Sequence, residues 1–161
     1  QQLGYTGGYP YFSTYLAGAG NKKDIGQTGI DNDGWALRGW WRPDETGTAV
    51  PSVSVGYDTV SFNTTAAGKF TEGEGYSVGL NWNDIFQADD VIGLAFGQPI
   101  KGKKNNTSTV KDVDPFLWEA YYSFRPNDSI EITPGIFGGT DAYKDKEDDI
   151  FGAVLTTTFR F

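Results

Sequence analysis

Histidine, cysteine and methionine are all absent from the 161 residues, and each absence removes chemistry. No Ser-His-Asp triad, thiolate nucleophile, zinc finger, iron–sulfur cluster or His-ligated haem can be built from this chain alone. Disulfides are excluded, so cystine gives no guide to the redox compartment. Without Met, the sequence reads as a processed product or a fragment, and no signal peptide is recognisable in it. Basic residues are scarce, 13 against 21 acids for a net charge of -8. Nucleic acid is therefore not an expected partner, because phosphate binding needs a basic surface. Apolar runs are short, which argues against a transmembrane helix. Glycine is what the chain has in excess: 22 residues, about twice the ~7% of an average protein. Each costs a helix about 1 kcal/mol relative to Ala, so a helical bundle is not expected. The length suits one domain, or part of one, taken as residues 1–161. A mean hydropathy of -0.44 does not settle solubility, since a strand barrel hides its lipid-facing residues in alternation.

Alternation is what organises the sequence. In the last stretch, Phe151, Ala153, Leu155, Thr157, Phe159 and Phe161 point one way; Gly152, Val154, Thr156, Thr158 and Arg160 point the other. Phe116, Trp118, Ala120, Tyr122 and Phe124 make a second apolar face, backed by Leu117, Glu119, Tyr121, Ser123 and Arg125. Tyr76, Val78, Leu80 and Trp82 alternate with Ser77, Gly79, Asn81 and Asn83, and Ile92, Leu94 and Phe96 with Gly93, Ala95 and Gly97. Ile130, Ile132, Pro134 and Ile136 oppose Glu131, Thr133 and Gly135. Val53, Val55 and Tyr57 oppose Ser52, Ser54, Gly56 and Asp58. Trp35, Leu37 and Trp41 oppose Arg38 and Arg42, with Trp40 an exception on the second face. A less regular segment at 9–17 brings the expected count to about eight strands, each near the ~9–11 residues of a tilted membrane strand.

The connections are expected to alternate as well. Segments 41–47, 82–90 and 124–128 read as Pro- and Asp-rich turns, and 18–33, 60–74, 99–112 and 138–149 as long polar loops. Short turns at one end and long loops at the other are the outer-membrane layout. Trp41, Trp82, Phe124 and Phe159, with Phe86 and Phe161, are then expected at the short-turn rim. Trp35, Tyr76 and Phe151, with Tyr57 and Phe116, are expected at the opposite rim. Two such girdles around an aliphatic band match anchoring at membrane interfaces. The expected fold is thus an all-β, transmembrane, antiparallel up-and-down barrel. Its second face supplies the candidate pore lining: Arg38, Arg42, Asp58, Asn81, Glu119, Tyr121, Arg125, Glu131 and Arg160. Arg42, Arg125 and Arg160 are expected to gather at the short-turn rim and favour anions. Two alternatives stand beside it: a complete eight-stranded membrane barrel with a structural or surface-binding role, and a soluble lipocalin-like barrel, which would turn its apolar set inward.

Ile92-Gly-Leu-Ala-Phe-Gly-Gln-Pro99, Trp118 to Gly135 and Asp148 to Phe161 resemble strands and turns of cyanobacterial outer-membrane porins, related to carbohydrate-selective and iron-uptake porins. The resemblance covers about residues 34–161. It implies a barrel of about sixteen strands of which this chain is the C-terminal half. It further implies the outer membrane of a Gram-negative bacterium, a homotrimer, lipid and lipopolysaccharide as surroundings, and passage of small hydrophilic solutes or ions without cofactor or catalysis. Phe159 and terminal Phe161 resemble the signal by which barrel-assembly machinery recognises its clients. Whether sugar, inorganic ion or iron permeates does not carry over.

Other signals are weaker. Asp31-Asn-Asp-Gly34 fails as an EF-hand, because Gly29 and Trp40 occupy ligand positions. The acidic run at 145–149 with Asp141 offers a divalent-cation reading, and a solvated face is the plainer one. Asn63, Asn105, Asn106 and Asn127 begin glycosylation-type triplets that read as loop composition. Lys101, Lys103, Lys104 and Lys111 form a basic loop able to meet lipopolysaccharide. Glu119 and Glu131 on neighbouring strands invite a paired-carboxylate hydrolase, although lining charges explain them more simply.

Overall fold

The computed structural model describes residues 32–62, 70–105, 114–141 and 149–161. They form seven strands: β1 Asn32–Trp41, β2 Ser52–Phe62, β3 Phe70–Asn83, β4 Val91–Asn105, β5 Phe116–Asn127, β6 Ile130–Thr140 and β7 Ile150–Phe159. All pair antiparallel in one open sheet whose spatial order is the chain order. The all-β, up-and-down arrangement expected from the alternation is therefore present. The irregular segment at 9–17, the acidic residues at 145–148, Lys111, Asn63 and Asn106 lie outside the described residues.

Register turns seven local alternations into two continuous faces, because directly opposed residues share a face. One row runs Val53, Leu80, Leu94, Ala120, Ile136 and Ala153 across β2 to β7. The row on the other face, one residue along, runs Ser54, Gly79, Ala95, Glu119, Phe137 and Gly152. The two faces differ in exposure as well as chemistry. On the apolar face Trp35 is 80% exposed, Phe151 73% and Leu155 69%, whereas on the polar face Leu117 is 4% exposed and Glu119 8%. Among the described residues nothing is layered on the apolar face.

At one end the connections are 42–51, 84–90 and 128–129; the segments expected as long loops at the other end lie largely outside the described residues. Strands reach well into the segments read as loops: β3 begins at Phe70, and β4 runs on to Asn105 through Lys101, Lys103 and Lys104. The register sets Glu74 opposite Lys101. Cross-strand opposite charges suit strand pairing without any apolar face, and that is why polarity alone misread this hairpin.

The 84–90 connection is built around Asp90, which is completely buried. Its carboxylate accepts from the backbone N–H groups of Ile85 at 2.8 Å, Phe86 at 3.0 Å and Gln87 at 3.1 Å, and from the Tyr122 hydroxyl of β5 at 3.0 Å. Asp84 and Asp89 take left-handed φ values of 60° and 63°, which Asp tolerates better than most residues. The Asp84 carboxylate accepts from the Asp89 N–H at 2.7 Å, closing the loop on itself. The neighbouring 42–51 connection docks onto it, with Gly47 N–H donating to the Asn83 carbonyl and Trp82 Nε1 to the Ala49 carbonyl. At the chain end, Arg160 N–H donates to the Ser129 carbonyl and ties β7 to the β5–β6 turn.

Burial by itself raises the Asp90 pKa, but the three N–H groups and the Tyr122 hydroxyl outweigh it and hold the carboxyl below its ordinary value. A depressed folded pKa contributes stability that is full above the unfolded value and is lost as pH falls through the folded one. Asp90→Ala is therefore expected to lower the denaturant midpoint strongly at neutral pH and to flatten its decline toward acid. Tyr122→Phe, which removes one of four donors, should shift the midpoint less. Equal midpoints for parent and Asp90→Ala, followed by urea unfolding across pH, would contradict this role.

Candidate functional site

All nine candidate lining residues belong to strands β1 to β6 or the segments just beyond strand ends. The register carries their polar face from Arg38 opposite Gly56, through Asn81 opposite Gly93 and Gly93 opposite Tyr121, to Glu131 opposite Thr158. Their charges are largely matched. Arg38 donates to Asp58 at 2.6 Å and to the Tyr57 carbonyl at 3.2 Å. Arg125 and Arg160 both donate to Oε2 of Glu131, each at 3.0 Å. These pairs are partly exposed, so each contributes at most about 1 kcal/mol. Their larger effect is on the field along the wall, which pairing weakens.

Two sequence expectations change here. Arg125 and Arg160 come together on Glu131, but Arg42 stacks over Trp40, 5.8 Å from its ring centroid, beside β1 at the opposite edge of the open sheet. Neighbouring strands do carry Glu119 and Glu131, yet Glu119 lies opposite Phe137, six residues along β6 from Glu131. At ~3.3 Å per residue that is about 20 Å, twice the widest separation of a glycosidase carboxylate pair. Catalysis by that pair has no geometric basis. Among the described residues no group of three His, Cys, Asp or Glu side chains is placed to hold a metal ion.

Large side chains on the polar face lie flat against the sheet. A Cβ added to Gly93 would sit 2.1 Å from the Tyr121 ring, one on Gly139 2.4 Å from Leu117, and one on Gly152 2.3 Å from the Phe137 ring. Glycine thus makes the berths that let bulky neighbours hug the wall instead of projecting from it. Tyr121 is fixed further by its hydroxyl, which donates to Asn81 Oδ1 at 3.0 Å across β4. Between β5 and β6 the ladder skips the positions around Pro134, which has no N–H to offer, and the Thr133 hydroxyl donates to Ser123 Oγ there at 2.9 Å. The sequence alternation gives the face of Phe137 and Leu117 but not their posture, which depends on which glycine the register brings alongside.

On the other face the aromatic residues form two groups with aliphatic side chains between them. Phe96 meets Phe116, and Trp118 meets Phe151, both at 6.3 Å between ring centroids. Tyr122 stacks on Phe124 at 5.3 Å and meets Phe86 edge-on at 5.9 Å. Leu80, Leu94, Ala120 and Ile136 occupy the row between. Polar tips of the rim aromatics find partners outward from the band. The Tyr57 hydroxyl donates to Glu74 at 3.2 Å at one end, and Trp82 and Tyr122 donate to Ala49 and Asp90 at the other. Trp35, Trp41, Tyr76 and Phe159 belong to the same apolar face and are all exposed on it.

No protein-family model, curated protein or solved structure matches this chain.

The Gly93 berth gives a direct test of the wall geometry. Gly93→Val should displace the Tyr121 ring, break its bond to Asn81 and cost about 1–3 kcal/mol of folding stability as overpacking. Tyr121→Ala in the Gly93→Val background should recover part of that loss. Strictly additive effects in urea unfolding of the two single variants and the double would place the ring elsewhere.

Proposed function

We propose that this chain forms part of the wall of an outer-membrane β-barrel porin of the cyanobacterial type, through whose water-filled lumen small hydrophilic solutes or ions diffuse. The observation that carries the reading is the inverted exposure of the sheet's middle strands. The apolar face lies open while Leu117 and Glu119 on the Gly-, Ser- and charge-bearing face are buried, with exposure on that face confined to edge-strand residues such as Trp40 and Val154. An apolar surface extending over seven strands far exceeds the patches a soluble monomer exposes, and hydrocarbon is a solvent that would cover it.

Dimensions support the same reading. On β3 the chain advances ten residues from Glu74, which binds the rim Tyr57, to Asp84 at the opposite connection. At ~3.3 Å per residue and the ~35–45° tilt of membrane barrels, that is about 23–27 Å of height, close to the ~25 Å apolar band such barrels present. Aromatic groups at both ends, each with a polar tip satisfied outward, fit interfacial anchoring.

The posture of Tyr121, Leu117 and Phe137 favours a wide barrel over a complete eight-stranded one. Eight strands enclose only enough space for their own side chains, which must then point inward and fill it. Side chains laid flat on glycines leave the space in front of the wall open. Selection in such a pore follows from width and lining charge, with no bond made or broken. The reading extends to lipid and lipopolysaccharide as surroundings, to a trimer, and to Phe159 and Phe161 as the assembly signal.

Two measurements test it. Folded into planar bilayers, the barrel that contains this chain should give stepwise, ohmic conductance; a folded, inserted protein that never conducts would falsify the channel. In lipid vesicles, Leu155→Arg should cost about 2–4 kcal/mol if the residue lies near the midplane. Thr156→Arg, on the face toward Thr133, should be much milder. Equal penalties would overturn the assignment of faces.

A further inference from the structure

Three strand ends meet around one carboxylate on the polar face. The 128–129 connection folds β6 back on β5, so Arg125 and Glu131 stand just before it and just after it. Arg160 follows the last residue of β7, and its N–H donates to the Ser129 carbonyl at 2.8 Å, which pins it beside the same connection. Arg125 Nε and Arg160 Nη2 each lie 3.0 Å from Oε2 of Glu131, so those two nitrogens are no further apart than twice that distance. Among the described residues neither arginine pairs with another acid, Asp128 of the connection included. One carboxylate against two guanidinium groups leaves a single positive charge. Both arginine side chains are open to solvent, Arg125 36% exposed and Arg160 51%. Thr158, directly opposite Glu131, sets a neutral hydroxyl beside them.

Each arginine uses one of its N–H groups on Glu131 and keeps the rest. A guanidinium presents those groups in planar pairs that match two oxygens of one oxyanion, a fit that neither a spherical chloride ion nor a lysine ammonium reproduces. Glu131 acts in two ways here. It offsets the repulsion that would drive the arginines apart, and, at one charge against two, it leaves the pair electropositive. The register places Ile132, Leu155 and Phe159 on the opposite face, so what reaches these arginines is a dissolved ion and not a lipid headgroup. We propose that Arg125 and Arg160, held together by Glu131, form a binding site for a phosphate-type oxyanion at this end of the wall. The site rests on the channel reading for its place in the lumen, and it names the class of solute selected there: tetrahedral oxyanions over halide.

The test is isothermal titration calorimetry with inorganic phosphate on the folded barrel that contains this chain. The barrel is held in a phosphate-free maltoside detergent with chloride as the only other anion. The parent should bind phosphate saturably. Arg125→Gln and Arg160→Gln keep much of the side chain and remove its charge, and each should weaken binding about tenfold or more. Arg160→Lys keeps the charge but not the planar fork, should weaken binding about threefold or more, and carries the comparison where a Gln variant does not fold. A parent that binds no phosphate, as a merely structural tie between β7 and the 128–129 connection predicts, would overturn the site. One affinity shared by the parent and the folded variants would overturn it equally. Conductance in planar bilayers, read on the same preparations, separates the site from the channel. Conducting barrels without phosphate binding overturn the site alone; phosphate binding that the variants weaken, in barrels that never conduct, supports the site and overturns the channel.

Discussion

The two faces depend on keeping a period of two in phase across six antiparallel pairings within the apolar band. The register shifts lie toward its ends, between Phe70 and Tyr76 on β3 and between Phe124 and Asn127 on β5. A slip of one residue in any pairing would exchange the faces of every strand beyond it. Leu80, Leu94, Ala120 and Ile136 would then sit in line with Ser, Gly and Glu, and neither face would have a consistent solvent. The phase is held partly by the faces themselves and partly by local locks. Asp90 fixes the β3–β4 turn and reaches β5 through Tyr122; Trp82 and Gly47 bind the β1–β2 connection to it; Arg160 pins β7 to the β5–β6 turn. All these locks lie at one end of the sheet. Toward the other end, β3 and β4 set Glu74 opposite Lys101.

The polar face shows how a wall can be both lined and open. Bulk is present in Leu117, Tyr121 and Phe137, but each lies along the sheet on a neighbouring glycine. Glycine excess, which the composition displays without explanation, is therefore used as space more than as flexibility. Charge is handled with similar economy. Arg38, Arg125 and Arg160 on this face are tied to carboxylates, and the local imbalance that remains is two guanidinium groups on one Glu131. The chain's overall charge of -8 says little about that imbalance.

Much of this was legible from the residues alone, and the limits have physical causes. Which side chains share a face follows directly from alternation, and even Trp40, which breaks the pattern, stands on the polar face beside Ser54. The aromatic groups at the two ends were legible for the same reason. Contacts between strands were not, because they depend on register. Nothing in the sequence brings Arg160 to Glu131, separates Glu119 from Glu131, or lays Tyr121 on Gly93. Strand ends were misjudged where polar residues pair beyond the apolar band, since a charged hairpin has the composition of a loop. Asp90 was missed altogether: in a turn containing Asp84, Asp89 and Asp90, composition cannot tell the buried acid from the exposed ones.

The central claim is that one face of this sheet meets hydrocarbon and the other meets water. The 161 residues contain no cysteine, so a thiol introduced among them has no other within this stretch to confuse its label. Residues 153 to 158 of β7 can be replaced one at a time by a nitroxide-labelled cysteine, and the barrel folded into lipid vesicles. Collision rates with oxygen, which concentrates in hydrocarbon, and with a water-soluble nickel complex are then read at each position. The account predicts oxygen maxima at 153, 155 and 157 and nickel maxima at 154, 156 and 158. Flat profiles, or maxima in the opposite phase, would contradict it.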